Sequence, residues 1–413
     1  MKIQLNIMDD TYDIAIVGGG IVGAATFYQL QKKFSNRKLV LIEKEDLLAK
    51  HQTGNNSGVI HSGLYYTPGS NKAINCVRGR HELVDFSKKY KVNHDVCGKV
   101  VVATEKKEIK FLDKIYQNGI ANNTEGIERI SPNQIKDIEP YVKGVAGIWV
   151  PCTGIIDYVE ATQKMIEVAC AVNKNSKILL SHEVVKIENS DGLKLIKTKD
   201  VTVRSKYLIV CGGLQADRLA KSDGIPLKEK VVGFRGDYYE LEDHAKQMVK
   251  NLIYPVPDPA FPFLGVHFTR MVNGDVECGP NAVFSFKREG YNKTDFSWND
   301  TLDALTYSGT WQLFFKNASY GINEYRRAFS KKLFLKTLQK LIPSLKISDI
   351  KPGRAGVRAL LLGQNGETKD DFRIEYSQNS IHVLNAPSPA ATACLAIGND
   401  ILEMAIKKFD LAN

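Results

Sequence analysis

The chain has 413 residues, of which 43% are hydrophobic and 25% charged, a balance that suits a globular protein of two or three domains with a sizeable core. No run of eighteen apolar residues points to a membrane-spanning helix, and no period of repeat length points to a solenoid. The net charge of +10 would serve an anionic membrane, an acidic substrate or nucleic acid. Without a zinc-finger or RNA-recognition signature, nucleic acid ranks last and is not expected as a partner.

The first stretch, MKIQLNIMDDTYD, has no apolar core ahead of Asp9 and Asp10, so it does not read as a targeting segment. Seven cysteines, at 76, 97, 152, 170, 211, 278 and 394, form no CxxC pair. That pattern argues against a disulfide framework or metal site and suits a reducing, cytoplasmic setting.

Residues 12 to 17, YDIAIV, are a short apolar run of the kind buried in a parallel sheet. GGGIVG follows, with Gly18, Gly20 and Gly23 on the GxGxxG spacing. AATFYQLQKK then reads as a helix, and KLVLIE as a second strand. Gly18 permits the tight turn, Gly20 lets backbone approach a pyrophosphate, and Gly23 lets helix pack on strand. The helix start at Ile21 and Val22 offers free N–H groups to phosphate. Glu43 stands where a carboxylate accepts from an adenosine ribose. A structural glycine turn would share the spacing but has no need of the following acid. A P-loop would need Gly-Lys-Ser/Thr, which is missing. The motif alone does not separate NAD from FAD.

HQTGNNSGVIHSGLYY, residues 51 to 66, places two histidines in a pliable, polar stretch. Downstream, VVKIENSDGLKLIKTKDVTVRSKYLIVCGG reads as a meander leading into a strand that ends at Gly212 and Gly213. QADRLA begins a helix there. KVVVAT, GIWV, FRGDYYEL, FLGVHFT and DVECG read as strands of a second sheet. Residues 324 to 342 read as one helix ended by Pro343, with six cations beside an apolar stripe.

The glycine loop, the meander and the C-terminal helix after NAPSPAATA resemble the FAD-dependent D-amino-acid-oxidase-like superfamily. GVIHSGLYYTPGS, TGIIDY, FRGDYY, NLIYPVPDPAFPFLGVHFTR, GPNAV, AGVRA and NAPSPAATACLAIG resemble the L-2-hydroxyglutarate dehydrogenase/oxidase family, in its order and along nearly the whole chain. Two positions depart from the family pattern: Asn55 replaces a usual histidine, and Leu360 a usual glutamine.

The resemblance implies an α/β fold: a discontinuous Rossmann-like FAD-binding domain (about 11–95, 150–230 and 350–413) with an inserted, largely antiparallel substrate domain (96–149 and 231–349). It implies cofactor contacts from Lys44, Thr53, Ser57, Gly58, Val59, Val185, Cys211, Gly212, Gly356, Pro389, Ala390 and Ala391, besides the glycine turn and Glu43. The implied reaction is FAD-dependent oxidation of L-2-hydroxyglutarate to 2-oxoglutarate.

Such an oxidation needs a base for the hydroxyl proton, and His61 and His267 are the candidates. His61 could instead orient the flavin or be its covalent anchor. Arginine grips a carboxylate through paired N–H donors, so Arg235, Arg270, Arg354 and Arg358 are candidate substrate anchors, with Arg270 and Arg358 foremost. Tyr65 and Tyr66 would close the pocket, only one of them facing inward if the segment is a strand. Electrons would pass to a quinone, oxygen or a carrier protein. The cationic helix and the resemblance suggest peripheral attachment to an anionic membrane, on its inner face; the alternative for the helix itself is that it packs its apolar stripe on the substrate domain with its lysines solvated. An amine oxidase on the same fold and a non-catalytic flavin-binding module are the alternatives.

Overall fold

In the computed structural model, residues 6–257 and 265–411 are described. The apolar run at 12–17 is the inner half of a longer strand, Asn6–Val17, which pairs in parallel with Leu39–Ile42 on one side and Val201–Val210 on the other. Ile14, Ala15, Ile16 and Val17 are buried on both faces, as a central parallel strand requires. Lys177–Leu179 extends this eight-stranded sheet at one edge, and Ser380–Asn385 pairs with the end of Val201–Val210. The meander expected over 183–204 forms as Val184–Ser190, Leu193–Thr198 and Val201–Val210, the last strand running on without a break through the YLIV expected as a separate strand.

Helices Ile21–Lys33, Tyr158–Val172 and Cys394–Phe409 cover one face of the sheet. Their buried Phe27, Leu30, Met165, Ile397 and Ile401 form a common core with Ile14, Ile16, Leu39 and Leu41. Asp157 caps the second of these helices, accepting from the backbone N–H groups of Val159 and Glu160.

The second sheet has nine strands and is antiparallel, except where Lys99–Ala103 runs parallel to Leu252–Pro255. The long strand Ile350–Leu362 was grouped on sequence with the cofactor-binding pieces. It runs instead antiparallel to Lys230–Leu241 in this second sheet. Its paired positions keep the two strands together over almost their full length, so the chain returns to the first sheet only with Arg373–Tyr376 and Ser380–Asn385.

The single helix expected over 324–342 is two helices, Ala318–Phe329 and Lys331–Leu338. Ser330 separates them: its hydroxyl accepts from the Leu333 N–H and so starts the second helix. Phe334, Leu335 and Leu338 of that helix, with Leu341 and Ile342, are buried against the second sheet, where Phe334 meets Tyr239 at 4.7 Å between ring centroids. This apolar stripe therefore faces a core, as in most amphipathic helices.

Candidate active site

A cavity of about 1110 Å³ runs between the two sheets. At one end stands the glycine turn. Gly18 has φ of +110°, a conformation that L side chains rarely adopt. A Cβ on Gly23 would lie 2.0 Å from the Gly18 carbonyl oxygen, so helix and strand meet too closely for any side chain there. A Cβ on Gly20 would meet only the Thr53 hydroxyl, at 3.3 Å, which leaves open space for a ligand beside the helix start. Thr53 Oγ1 accepts from the Ile21 N–H at 3.0 Å and keeps its own proton to donate. Glu43 accepts from the backbone N–H groups of Gly19 at 2.6 Å and Glu45 at 2.9 Å. The expected ribose acid thus also holds the turn in shape while it lines the cavity.

Gly18, Gly20, Ile21, Val22, Gly23, Glu43, Lys44, Thr53, Ser57 and Val59 all line this cavity. So do Val185, Cys211, Gly212, Gly356, Pro389, Ala390 and Ala391. Gly58 does not; it shapes the loop behind the cavity, its carbonyl accepting from Ile156 at 2.8 Å. At the Glu43 end Lys44 pairs with Glu289, and His51 bonds Glu45 at 2.8 Å and the Tyr291 hydroxyl at 3.1 Å. Asn55 spends its amide donors on the Lys50 and His51 carbonyls, both at 2.8 Å. An open cradle beside a helix start, flanked by a carboxylate and a hydroxyl donor, fits the pyrophosphate and ribose of FAD.

The other end gathers His61, Tyr65, Tyr66, His267 and Arg358, together with Tyr238, Tyr254 and Leu360. Tyr65 and Tyr66 both reach the cavity. The segment is a turn rather than a strand there, closed by Tyr66 N–H to the Gly63 carbonyl at 3.3 Å, so alternation does not apply. The Tyr65 hydroxyl is buried with no hydrogen-bond partner among the described residues. His267 stacks on Tyr254 with 4.0 Å between ring centroids, and its Nδ1 donates to the Gly265 carbonyl at 2.9 Å. That bond leaves Nε2 as the bare, proton-accepting nitrogen.

Burial in the cavity wall draws the His267 pKa down to about 4; the Gly265 bond opposes the shift, and nearby Arg358 and Lys99 add to it. His61 falls to about 3, first through burial and then through the charge of Lys99 and of His267. Both rings are therefore neutral at pH 7 and able to take a proton.

Three of the four candidate arginines lie elsewhere. Phe234 pairs with Arg358 across the two long strands, so Arg235, one residue on, projects from the opposite face. It is buried, with Asp237 at 2.8 Å and the Asn292 carbonyl at 2.7 Å. Arg270 is three residues beyond His267 on one strand, hence also on the opposite face, and it pairs with Asp95. Arg354 lies where the register of the long strand pair shifts. It joins Glu277 and donates to the carbonyls of Gly54 at 2.8 Å and Asn56 at 2.6 Å.

Sequence reasoning missed Tyr238 and Tyr254, which sat inside quoted motifs but were given no role. It also missed Lys99, whose only signal was a cation opening the otherwise apolar strand KVVVA. No group of residues suited to a metal ion occurs among the described residues.

The family model for "FAD dependent oxidoreductase" matches residues 13–404. An L-2-hydroxyglutarate dehydrogenase of Indibacter alkaliphilus is 46% identical over 96% of this chain and 100% of its own length. The Escherichia coli K12 protein of that name is 41% identical, over 95% of this chain and 92% of its own. Among solved structures, the L-alpha-glycerophosphate oxidase of Mycoplasma pneumoniae with FAD bound superposes with a TM-score of 0.78 at 24% identity, covering 96% of this chain and 94% of that one. Glycine oxidase of Geobacillus kaustophilus superposes with a TM-score of 0.73 at 14% identity, covering 96% and 95%. At those identities the two structures speak for the fold alone, whereas the closer sequence relatives speak for the family. The chain belongs to the FAD-dependent oxidoreductase family and, within it, to the L-2-hydroxyglutarate dehydrogenases.

Proposed function

We propose that this protein oxidises L-2-hydroxyglutarate to 2-oxoglutarate, with FAD held along the cavity from the glycine turn to the histidines. The observation that carries this is the junction within one cavity of a dinucleotide cradle with two neutral histidines and Arg358. FAD, when bound, supplies the acceptor for the hydride that leaves C2 of the substrate. The chain supplies the rest. Arg358 grips a substrate carboxylate. His267 Nε2 accepts the C2 hydroxyl proton, its ring held by Gly265 and Tyr254. Tyr65, Tyr66 and Tyr238 wall the site and exclude water, and His61 flanks the reacting carbon from the loop side.

The division of labour we infer follows the two sheets. The parallel sheet and its helices hold the cofactor, and the nine-stranded sheet, with Ile350–Leu362 included, floors the substrate end. Anaerobic addition of L-2-hydroxyglutarate to the purified yellow protein tests the reading. Bleaching by the L-enantiomer and not by the D-enantiomer is expected; an unbleached flavin would sink it.

For the electron acceptor we propose a quinone reached from the surface of an anionic membrane. No helix among the described residues is long and apolar enough to cross a membrane, so the contact would be peripheral. The support comes from the helices preceding Ser330, not from the buried stripe after it. Trp298, Phe315, Ile322 and Phe329 are each more than 60% exposed. Lys293 lies 5.8 Å from the Phe329 ring, and Lys331 and Lys332 open the next helix. Exposed aromatics beside cations suit a headgroup interface. Co-sedimentation with anionic vesicles that weakens in high salt and in a Trp298→Ser/Phe315→Ser variant is expected. Equal binding to neutral vesicles, or none, would favour oxygen or a soluble carrier.

A further inference from the structure

Lys99 stands behind the wall of the substrate end, against two tyrosines that line it, and has no part in the chemistry described so far. It opens the strand Lys99–Ala103 and is 1% exposed. Its ammonium is 4.6 Å from the centroid of the Tyr65 ring and 5.0 Å from that of Tyr254. Both rings line the cavity. The groups facing Lys99 come from four places: Tyr65 on the loop, Tyr254 on the neighbouring strand, Cys76 on helix Asn71–Tyr90, and Cys152 after strand Ala146–Val150. The imidazoles of His61 and His267 stand within electrostatic reach, and Arg80 and Glu125 act on Cys152 from behind.

Among the described residues no carboxylate pairs with it. The other fully buried lysine, Lys194, has the arrangement a buried cation ordinarily needs: Asp223 at 2.6 Å. Two aromatic faces recover part of the cost of removing an ammonium from water, but they do not neutralise it. The charge therefore lacks a counter-ion among the described residues and stands one ring layer behind a cavity whose proposed ligand carries two negative charges.

We propose that Lys99 is a positioning residue for dicarboxylates, a buried cation whose counter-charge is the bound substrate and which thereby selects diacids over monoacids at this site. The idea rests on the L-2-hydroxyglutarate reading and narrows it. Arg358 takes one carboxylate by direct contact. Lys99 acts through the Tyr65–Tyr254 layer, raising the potential where the second negative charge comes to rest. With the cavity empty, burial lowers the Lys99 pKa to about 8, while the two thiols act in the opposite sense. A bound dianion favours the charged form, so above pH 8 binding must draw a proton from solvent. His61 and His267 do not mimic this, because they are neutral throughout that range.

The test uses the FAD-loaded protein and glutarate, a five-carbon diacid with no hydroxyl to oxidise, with valerate as the monoacid control. Calorimetry in two buffers of different ionisation enthalpy should show most of a proton taken up with glutarate at pH 8.5, and almost none at pH 6.5. Lys99→Met should weaken glutarate about tenfold or more, leave valerate within about twofold and abolish the uptake; Lys99→Arg should restore most of the preference. If glutarate binds wild-type protein at pH 8.5 with no proton uptake, the proposal falls, even should Lys99→Met fail to fold. A Lys99→Met protein that keeps the diacid preference would also overturn it. Proton-linked glutarate binding to a protein whose flavin L-2-hydroxyglutarate never bleaches would leave Lys99 in place and remove the proposed reaction instead.

Discussion

Gly356 passes so close to Asn55 that a β-carbon on it would lie 2.4 Å from the Asn55 carbonyl oxygen. Arg354, two residues earlier, donates to the carbonyls on either side of Asn55, those of Gly54 and Asn56. Strand Ile350–Leu362 of the second sheet thus clamps the loop that carries Thr53 and Ser57 to the cofactor cradle. Gly356→Ala should displace that loop and lower the FAD content of purified protein several-fold. Arg354→Met should do the same and also leave buried Glu277 without its partner, a loss of about 2 kcal/mol of stability when discounted for the part-exposed arginine. Flavin absorbance per chain and a urea melt measure the two effects. FAD retention and a midpoint equal to wild type in both variants would refute the clamp.

Gly20→Asp places a carboxylate in the open space beside the helix start, where only the Thr53 hydroxyl now approaches. Crowding and charge repulsion with a pyrophosphate should empty the site while the fold survives, because Gly20 packs against no backbone there. Circular dichroism like wild type with no yellow colour is the expected pair of results. Full flavin content would move the pyrophosphate elsewhere.

The depressed histidines set the acid limb of the pH profile. A base must be neutral to accept a proton, and His267 becomes protonated only as the pH falls through about 4. The ratio kcat/KM, which reports the free enzyme, should therefore show no loss at pH 6.5 and fall near pH 4. The same values make stability decline as the pH drops from 6.5 towards 4, because the unfolded chain binds protons there that the folded one refuses. His267→Ala should slow single-turnover flavin reduction at least tenfold, or about 1.4 kcal/mol. If that variant reduces at the wild-type rate and His61→Ala does not, the base is His61.

Arg358→Lys keeps the charge and loses the paired donors. KM for L-2-hydroxyglutarate should rise about tenfold or more with kcat changed far less. Arg270→Lys, on the opposite strand face beside Asp95, should leave both parameters within twofold. A reversed outcome would mean that the carboxylate enters from the Asp95 side.

The cofactor half was readable in sequence because its demands are local. A tight turn, a close helix and an acid at the next strand end each dictate a residue type at a fixed spacing, and Gly18, Gly23 and Glu43 stand where those demands placed them. The substrate half was less readable because it depends on which face a strand side chain takes. His267 and Arg270 sit in one motif, yet their separation of three puts them on opposite faces of the sheet. Arg354 and Arg358 share a motif also, but a register shift near Arg354 turns it into the loop clamp. Lys99 was hidden for a different reason. A lone lysine in a strand normally signals a solvent-facing edge, and only the packing of Tyr65 and Tyr254 around it shows otherwise. Ser330, a single capping hydroxyl, divided what periodicity presented as one helix.

Arg288 is nearly buried and ties two distant parts of the chain together. Its guanidinium bridges Asp217 and the Leu214 carbonyl, beside the end of the parallel sheet, while its other side meets Asp303 in helix Trp298–Leu305 of the inserted region. With Lys230 joined to the same Asp303, the insert, the long strand pair and the cofactor half are riveted at one point. Removing the Arg288 charge would leave Asp217 and Asp303 without their shared partner, so a single change there would loosen the cofactor half and the insert together.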